Sequence, residues 1–130
     1  MEIQFNESHI LYSIHLYVEN NQKIIIGKKG SYSFNRGLYI YVGSAKRNIL
    51  ARINRHMKRE KPFRWHFDYL RPHGNIVKII TYDSSYKECE LAEKIRKETG
   101  GLLPVPEFGS SDCRCPSHLI YIADPPISKH

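Results

Sequence analysis

Regular alternation of apolar and other residues between positions 8 and 18 constrains the fold more than any other feature of the sequence. The apolar face of this segment would consist of Ile10, Tyr12, Ile14, Leu16 and Val18. Side chains on one face of a strand recur every second residue, so the pattern predicts a half-buried β-strand. Residues 19–22 are typical of a turn, and the β-branched segment 23–27 is predicted to return as the second arm of a hairpin.

Further strands are predicted for three short segments rich in β-branched and aromatic residues, at 38–42, 76–82 and 117–123. The aromatic segment 62–70 fits a strand or a short helix equally well. A chain of 130 residues, 41% of them hydrophobic, can bury one core, so we expect a single domain over 1–123 and a frayed tail over 124–130. The predicted class is α+β, with a small, mainly antiparallel sheet of three core strands plus additional strands, flanked by helices.

Two segments show helical periodicity. The first is 48–59, where the apolar residues at helical spacing are Ile49, Leu50, Ile53 and Met57. Arg52 and His56 lie four residues apart on the edge of that stripe, so we expect them to line a groove. The second helix is predicted at 86–99, with a cap at 83–85 and an end at the two glycines that follow it.

The formal net charge of +7 is concentrated in the middle of the chain. The basic residues of this stretch are Lys46, Arg47, Arg52, Arg55, Lys58, Arg59, Lys61, Arg64 and Arg71. Such a face attracts polyanions and releases their counterions on binding, and aromatic residues follow directly after it. A nucleic-acid partner is therefore favoured over a merely solvated surface, with recognition directed at the backbone or the shape of the nucleic acid.

Other features bear on the compartment. The longest apolar runs have five residues, far short of the roughly 20 needed to span a bilayer, and the N-terminus lacks the apolar region of a secretory signal. The three cysteines, Cys89, Cys113 and Cys115, are an odd number, which argues against a secreted disulfide framework. We expect reduced thiols and a cytoplasmic protein without a membrane partner.

Glu88 is an anomaly in the second predicted helix. It falls in the middle of the apolar stripe formed by Leu91, Ala92 and Ile95, while Glu90 and Glu93 fall opposite. Burying a carboxylate without a partner is costly, so this residue should face a cleft, a cation or a metal. A partly exposed glutamate favoured by the helix dipole explains the position equally well.

Two further groups could carry chemistry. Trp65 and His66 could line a cleft or stack on a base, whereas Phe67 and Leu70 are expected in the core. Cys113, Cys115 and His118 form a zinc site only if a fourth ligand such as Cys89 joins them, so thiols packed under the last strand are favoured.

The segment Tyr41-Val42-Gly43-Ser44-Ala45, followed on a helix by Arg52 and His56, resembles the second half of the GIY-YIG nuclease signature. Ile10-Leu11-Tyr12 stands where the first half belongs, with isoleucine in place of glycine, and Glu88 matches the helix-borne metal ligand of that family. The chain also resembles an archaeal-type branch of uncharacterised function that is sometimes joined to endonuclease III-like, base-excision DNA glycosylases. Its hallmarks here are residues 41–45, 65–70, 88–89 and 108–113.

The resemblance implies a GIY-YIG-like fold and a metal-dependent phosphodiester hydrolase. Tyr12 and Tyr41 would flank a water, Arg52 would steady the scissile phosphate with His56 nearby, and Glu88 would hold one Mg²⁺ or Mn²⁺. A tyrosine could act as a base only if a neighbouring cation lowered its pKa. Residues expected to contact the substrate are Gly43, Ser44, Lys46, Arg47, Arg55, Trp65 and His66.

Three functional readings follow from these features. The first is a structure- or lesion-directed endonuclease, acting on DNA in preference to RNA and working with a DNA repair enzyme. The second is a non-catalytic nucleic-acid-binding module that recruits such an enzyme. The third is a regulatory or structural domain held by a Cys/His metal site, and zinc without affinity for nucleic acid would identify it.

Overall fold

The computed structural model describes residues 1–109 and 116–124. The strands are β1 (Glu2–Gln4), β2 (Leu11–Val18), β3 (Gln22–Ile25), β4 (Ser31–Phe34), β5 (Gly37–Ser44), β6 (Asn75–Tyr82) and β7 (Leu119–Ala123). The helices are α1 (Ile49–Met57), α2 (His66–Leu70) and α3 (Glu88–Thr99). Short 3₁₀ turns occupy Gly27–Lys29 and Arg71–His73. The open choice for 62–70 is settled in favour of a short helix.

Five strands form one sheet in the order β1-β6-β2-β5-β7, and β3 and β4 form a separate two-stranded sheet. Among the described strands of the large sheet, only β1 and β6 run parallel. The predicted α+β class and the mainly antiparallel sheet flanked by helices are therefore confirmed. No helix within the described part of the chain combines the length and the apolar character needed to cross a membrane.

The predicted hairpin between the first two strand segments is wrong. β3 pairs with β4, a strand that no sequence pattern predicted, and β2 pairs with β5 on one side and β6 on the other. On the sheet face that carries Tyr12, Ile14 of β2 lies opposite Tyr41 and Ile79. β2 thus pairs with β5 and β6, which have eight residues each and matching apolar faces. It does not pair with β3, which is closer in sequence but has only four residues.

The sequence predicts the C-terminal end of α3 correctly but not its N-terminal cap. Asn48 caps α1 by accepting a hydrogen bond from the Ala51 N–H, at 3.1 Å. The cap predicted for α3 at 83–85 is wrong, because the Asp83 carboxylate accepts from the Ser85 N–H and closes a turn instead. The helix begins at Glu88 and ends, as predicted, at Thr99, and it is followed by Gly100, whose φ of 67° favours glycine.

The large sheet buries side chains on both faces. On one face, Tyr12, Ile14 and Leu16 pack under α1, α2 and the β3–β4 hairpin, and Phe67 and Leu70 are fully buried there as predicted. On the other face, α3 covers β5 and β7 with the stripe that contains Leu91, Ala92 and Ile95. The pattern leaves the first turn of α3 level with the ends of β2 and β5, where the candidate site lies.

Candidate active site

A polar cavity of about 200 Å³ opens where β2, β5, α1 and α3 meet. Its lining residues are Tyr12, Tyr41, Gly43, Ser44, Arg52, Arg64, Trp65, His66, Glu88 and Gly109. Eight of these ten were named from the sequence as candidate site residues. They come from positions as far apart as Tyr12 and Glu88, so the fold assembles the cavity from distant segments.

Gly43 is what allows the Tyr12 ring to reach the cavity. The two residues are directly opposite in the β2–β5 pair. A Cβ built on Gly43 would lie 2.4 Å from the Tyr12 hydroxyl oxygen and 2.5 Å from Cζ. No side chain larger than hydrogen fits without moving the ring, because Tyr12 is only 1% exposed.

His56 is buried rather than groove-lining, which corrects the expectation drawn from the helical stripe. It is 1% exposed, and its Nε2 lies 2.8 Å from the Tyr12 hydroxyl oxygen. Burial, with a further effect from Lys61, lowers the pKa of His56 to about 3, so the ring is neutral at neutral pH. Nδ1 has no hydrogen-bond partner among residues 1–109 and 116–124.

This pairing suggests which nitrogen carries the proton. An orphaned lone pair in the core costs less than an orphaned N–H. We therefore assign the proton of His56 to Nε2, which donates to the Tyr12 hydroxyl oxygen. The hydroxyl hydrogen of Tyr12 is then available to a group in the cavity.

Tyr41 is held by aromatic neighbours. Its ring stacks on Phe67 with centroids 5.0 Å apart, and Phe108 meets it edge-on at 5.9 Å. Burial raises the pKa of Tyr41 well above its ordinary value, with Tyr12 adding to the rise, and burial likewise raises the pKa of Tyr12. Arg52 opposes both shifts without cancelling them, so both tyrosines keep their protons at neutral pH.

Arg52 is fixed at the rim of the cavity by two contacts. Its Nη1 donates to the carbonyl oxygen of Ser44 at 3.2 Å, and its guanidinium carbon lies 4.5 Å from the centroid of the Trp65 ring. A guanidinium over an indole face is a favourable cation–π arrangement. Arg52 is thereby presented to the cavity beside Tyr12 and Glu88.

Glu88 presents an ionised carboxylate to the same cavity. The Ser44 hydroxyl donates to Oε2 at 2.7 Å, and His118 Nδ1 lies 2.9 Å from Oε1. Burial alone would raise the pKa of Glu88, but the contacts from His118 and Ser44 outweigh it and hold the pKa below its ordinary value. No group of three or more potential metal ligands occurs within the described residues. A single carboxylate that retains several waters is nonetheless a usual way to bind Mg²⁺.

Arg55 is engaged in the fold, although the sequence suggested that it binds substrate. Its guanidinium makes two hydrogen bonds to the Asp68 carboxylate, at 3.1 and 3.0 Å, and one to the carbonyl oxygen of Pro62. Asp68 is fully buried and also accepts from the N–H groups of Arg64 and Trp65. Asp68 therefore anchors the loop that carries Trp65 into the site.

The remaining predicted contact residues divide into two groups. Trp65 and His66 line the cavity, and His66 Nδ1 accepts a hydrogen bond from the Gly109 N–H at 2.8 Å. Lys46 and Arg47 are exposed in the turn after Ser44 and do not line it. Their position still adds positive charge beside the cavity.

The structure tests the expectations for the cysteines and His118 only in part. Cys113 and Cys115 lie outside the described residues. Cys89 is disulfide-bonded, so the expectation of a reduced thiol is wrong at this position. His118, considered only as a zinc ligand, lies at 2% exposure against Glu88, with its Nε2 3.7 Å from the Cys89 sulfur.

Sequence reasoning missed two lining residues and one contact. Arg64 was noted only as part of the basic stretch, although it directly precedes Trp65, and Gly109 only as part of a hallmark segment. The pairing of His118 with Glu88 has no local signal, since 30 positions separate the two residues.

Comparisons with known proteins define the family. No curated protein and no solved structure matches the chain significantly. The family model described as Domain of unknown function DUF123 matches residues 11–129, a span that contains every residue lining the cavity. Because this match covers nearly all of the 130 residues, the chain belongs to the DUF123 family.

Proposed function

We propose that the chain is a metal-dependent endonuclease of the GIY-YIG type that hydrolyses phosphodiester bonds in nucleic acid. One observation carries the proposal: Tyr12, Arg52 and Glu88 come from three different elements and meet in one polar cavity. A proton-transfer group, a cation and a metal-binding carboxylate are what hydrolysis of a phosphodiester requires.

The finer assignment, to the archaeal-type branch that is sometimes joined to DNA glycosylases, rests on the motif residues. Tyr12 and Tyr41 lie on neighbouring antiparallel strands, with ring centroids 6.5 Å apart. Gly43 is required by the close approach of Tyr12, which supports its place in a tyrosine-x-glycine signature. The basic stretch beside the cavity supports a nucleic-acid substrate. We propose that this substrate is DNA in preference to RNA, and that the enzyme recognises a structure or a lesion in it.

In the proposed reaction, Glu88 would hold one Mg²⁺ or Mn²⁺, which offsets negative charge on the phosphate and the leaving oxygen. Arg52, which lies beside Glu88 at the rim of the cavity, would bind a non-bridging phosphate oxygen. Tyr12 would lose its hydroxyl proton to solvent when Arg52 and the metal lower its pKa, and it would then take a proton from water. The water oxygen attacks phosphorus, the bond from phosphorus to the leaving oxygen breaks, and the leaving oxygen takes a proton from solvent. His56 Nε2–H stabilises the ionised Tyr12 by donating to its oxygen, while Tyr41 orients the water.

The cellular setting belongs to the same proposal. We place the protein in the cytoplasm, acting on nucleic acid with a DNA repair enzyme as a further partner and without a membrane. An enzyme that recognises backbone and shape would depend on such a partner for its sites.

Cleavage of a panel of labelled substrates tests the proposal. The panel contains flapped, branched, single- and double-stranded DNA and RNA, each with Mg²⁺ or Mn²⁺. Glu88→Gln keeps the size of the side chain and removes the charge that would bind the metal, so cleavage should be lost. Glu93→Gln is the matched control, because Glu93 lies on the same helix and pairs with Arg96 away from the cavity. Cleavage by the Glu88 variant at the wild-type rate would refute the proposal.

One observation favours a second candidate, a non-catalytic module that binds nucleic acid and recruits another enzyme. Burial raises the pKa of both Tyr12 and Tyr41, which opposes the ionised form that the reaction needs. Salt-sensitive binding of the whole panel, without cleavage under either metal, would identify this candidate.

A further inference from the structure

His118 holds a fixed place in the backbone framework around Glu88. Its N–H donates to the carbonyl oxygen of Phe108 at 2.8 Å, and its own carbonyl oxygen accepts from the Val42 N–H at 2.9 Å. The residue therefore joins β5 to the loop that precedes β7. Its imidazole is 2% exposed, so packing leaves the ring little freedom to turn.

Each oxygen of the Glu88 carboxylate has its own contact, one with the His118 imidazole and one with the Ser44 hydroxyl. His118 Nδ1 lies 2.9 Å from Oε1, and the Ser44 hydroxyl donates to Oε2 at 2.7 Å. The Glu88 side chain is 30% exposed, and it lies in the first turn of α3. These two contacts set the plane of the carboxylate and the direction in which its outer lone pairs point.

The burial of His118 excludes a direct part in the reaction. The ring does not line the cavity, and a substrate or metal there would meet Glu88 first. We propose that His118 is a positioning residue that orients Glu88 for divalent-cation binding. This inference rests on the proposed function, since it assigns a role within the same metal site.

The expected size of the effect follows from the behaviour of groups that orient metal ligands elsewhere. Loss of such a contact typically lowers metal affinity about 10- to 100-fold. The loss arises because the free carboxylate samples orientations that do not bind the ion.

Two substitutions separate positioning from packing. In His118→Asn the amide nitrogen takes the place of Nδ1 and can still donate to Glu88. In His118→Gln it takes the place of Nε2, which points towards Cys89. Both variants are polar and similar in size, so a purely structural role predicts similar effects for the two.

The measurement is binding of Mn²⁺ alone to the full chain, followed by the loss of the free-ion signal in electron paramagnetic resonance. We expect His118→Gln to bind Mn²⁺ about 10- to 100-fold more weakly than wild type, and His118→Asn to bind almost as tightly as wild type. Higher Mn²⁺ should restore cleavage by the glutamine variant while its affinity for nucleic acid stays unchanged. Circular-dichroism melts verify that both variants fold.

Each alternative result has a defined meaning. Wild-type Mn²⁺ affinity in His118→Gln, or equal weakening in both variants, overturns the positioning role. Glu88→Gln separates this failure from that of the proposed function. If Glu88→Gln loses Mn²⁺ binding while His118→Gln keeps it, only the inference about His118 falls. If Glu88→Gln binds Mn²⁺ like wild type, the metal site and the inference fall together.

Discussion

Replacing Gly43 with alanine should destabilise the protein by forcing the Tyr12 ring out of its place. The new Cβ would approach the hydroxyl oxygen, Cζ and Cε2 of Tyr12 to 2.4, 2.5 and 2.7 Å. Overpacking of this kind costs about 1–3 kcal/mol, and losing the hydrogen bond to His56 adds about 1 kcal/mol. Lower conformational entropy of the unfolded chain returns about 0.4–1 kcal/mol. The net loss should be about 1–4 kcal/mol.

Urea denaturation measures this loss, and a double-mutant cycle assigns its cause. In Tyr12→Leu the side chain ends at Cδ, short of the three ring atoms that crowd position 43. Gly43→Ala should therefore cost far less in the Tyr12→Leu background than in wild type. An equal cost in both backgrounds would refute the explanation, because the loss would then arise from the backbone of β5 itself.

Two further predictions concern charge. His56→Gln should flatten the decline of stability below pH 6.5, measured by urea denaturation between pH 7.5 and 4.5. His56 has a folded pKa lowered to about 3, so its contribution is present above its unfolded value of 6.5 and is lost as pH falls. The slope should decrease by about 1.4 kcal/mol per pH unit. Arg64→Gln should weaken nucleic-acid binding and lower the dependence of log Kd on log salt by about one unit, because exposed Arg64 lines the cavity.

An unchanged pH slope in the His56 variant would show that the imidazole is charged in the folded chain. For Arg64, the matched control is Lys97→Gln, a basic residue near the end of α3 that does not line the cavity. A variant of Arg64 with the salt dependence of wild type would remove this residue from the binding surface.

The strands and helices that were predicted correctly are those with a strong local signal. The alternation in β2, the β-branched composition of β6 and the glycine after α3 each follow from nearby residues. Strand pairing does not, because it depends on which distant apolar faces match. The predicted hairpin failed for this reason, since β2 found longer partners in β5 and β6 than in β3.

The site could be predicted in the same uneven way. Glu88 was identifiable because a carboxylate in an apolar helical stripe is a local anomaly, and the tyrosine-x-glycine segment is contiguous. The pairing of Arg55 with Asp68 could not be predicted, because Asp68 lies across a loop and charge in a sequence does not show whether it is already paired. The contact of His118 with Glu88 depends on the placement of the segment before β7 against α3, which no local pattern encodes.

The site contains buried residues and exposed residues, and substitutions of the two kinds have different effects. Tyr12 and His56 belong to the core, so their replacement lowers stability and would reduce activity even without a chemical role. Glu88 and Arg64 lie at the accessible wall, where a substitution changes charge and leaves the core packed. Variants of Glu88 and Arg64 therefore discriminate best between the endonuclease and the binding module. Loss of cleavage in Glu88→Gln with binding retained requires a chemical role for that carboxylate, which a binding module does not have.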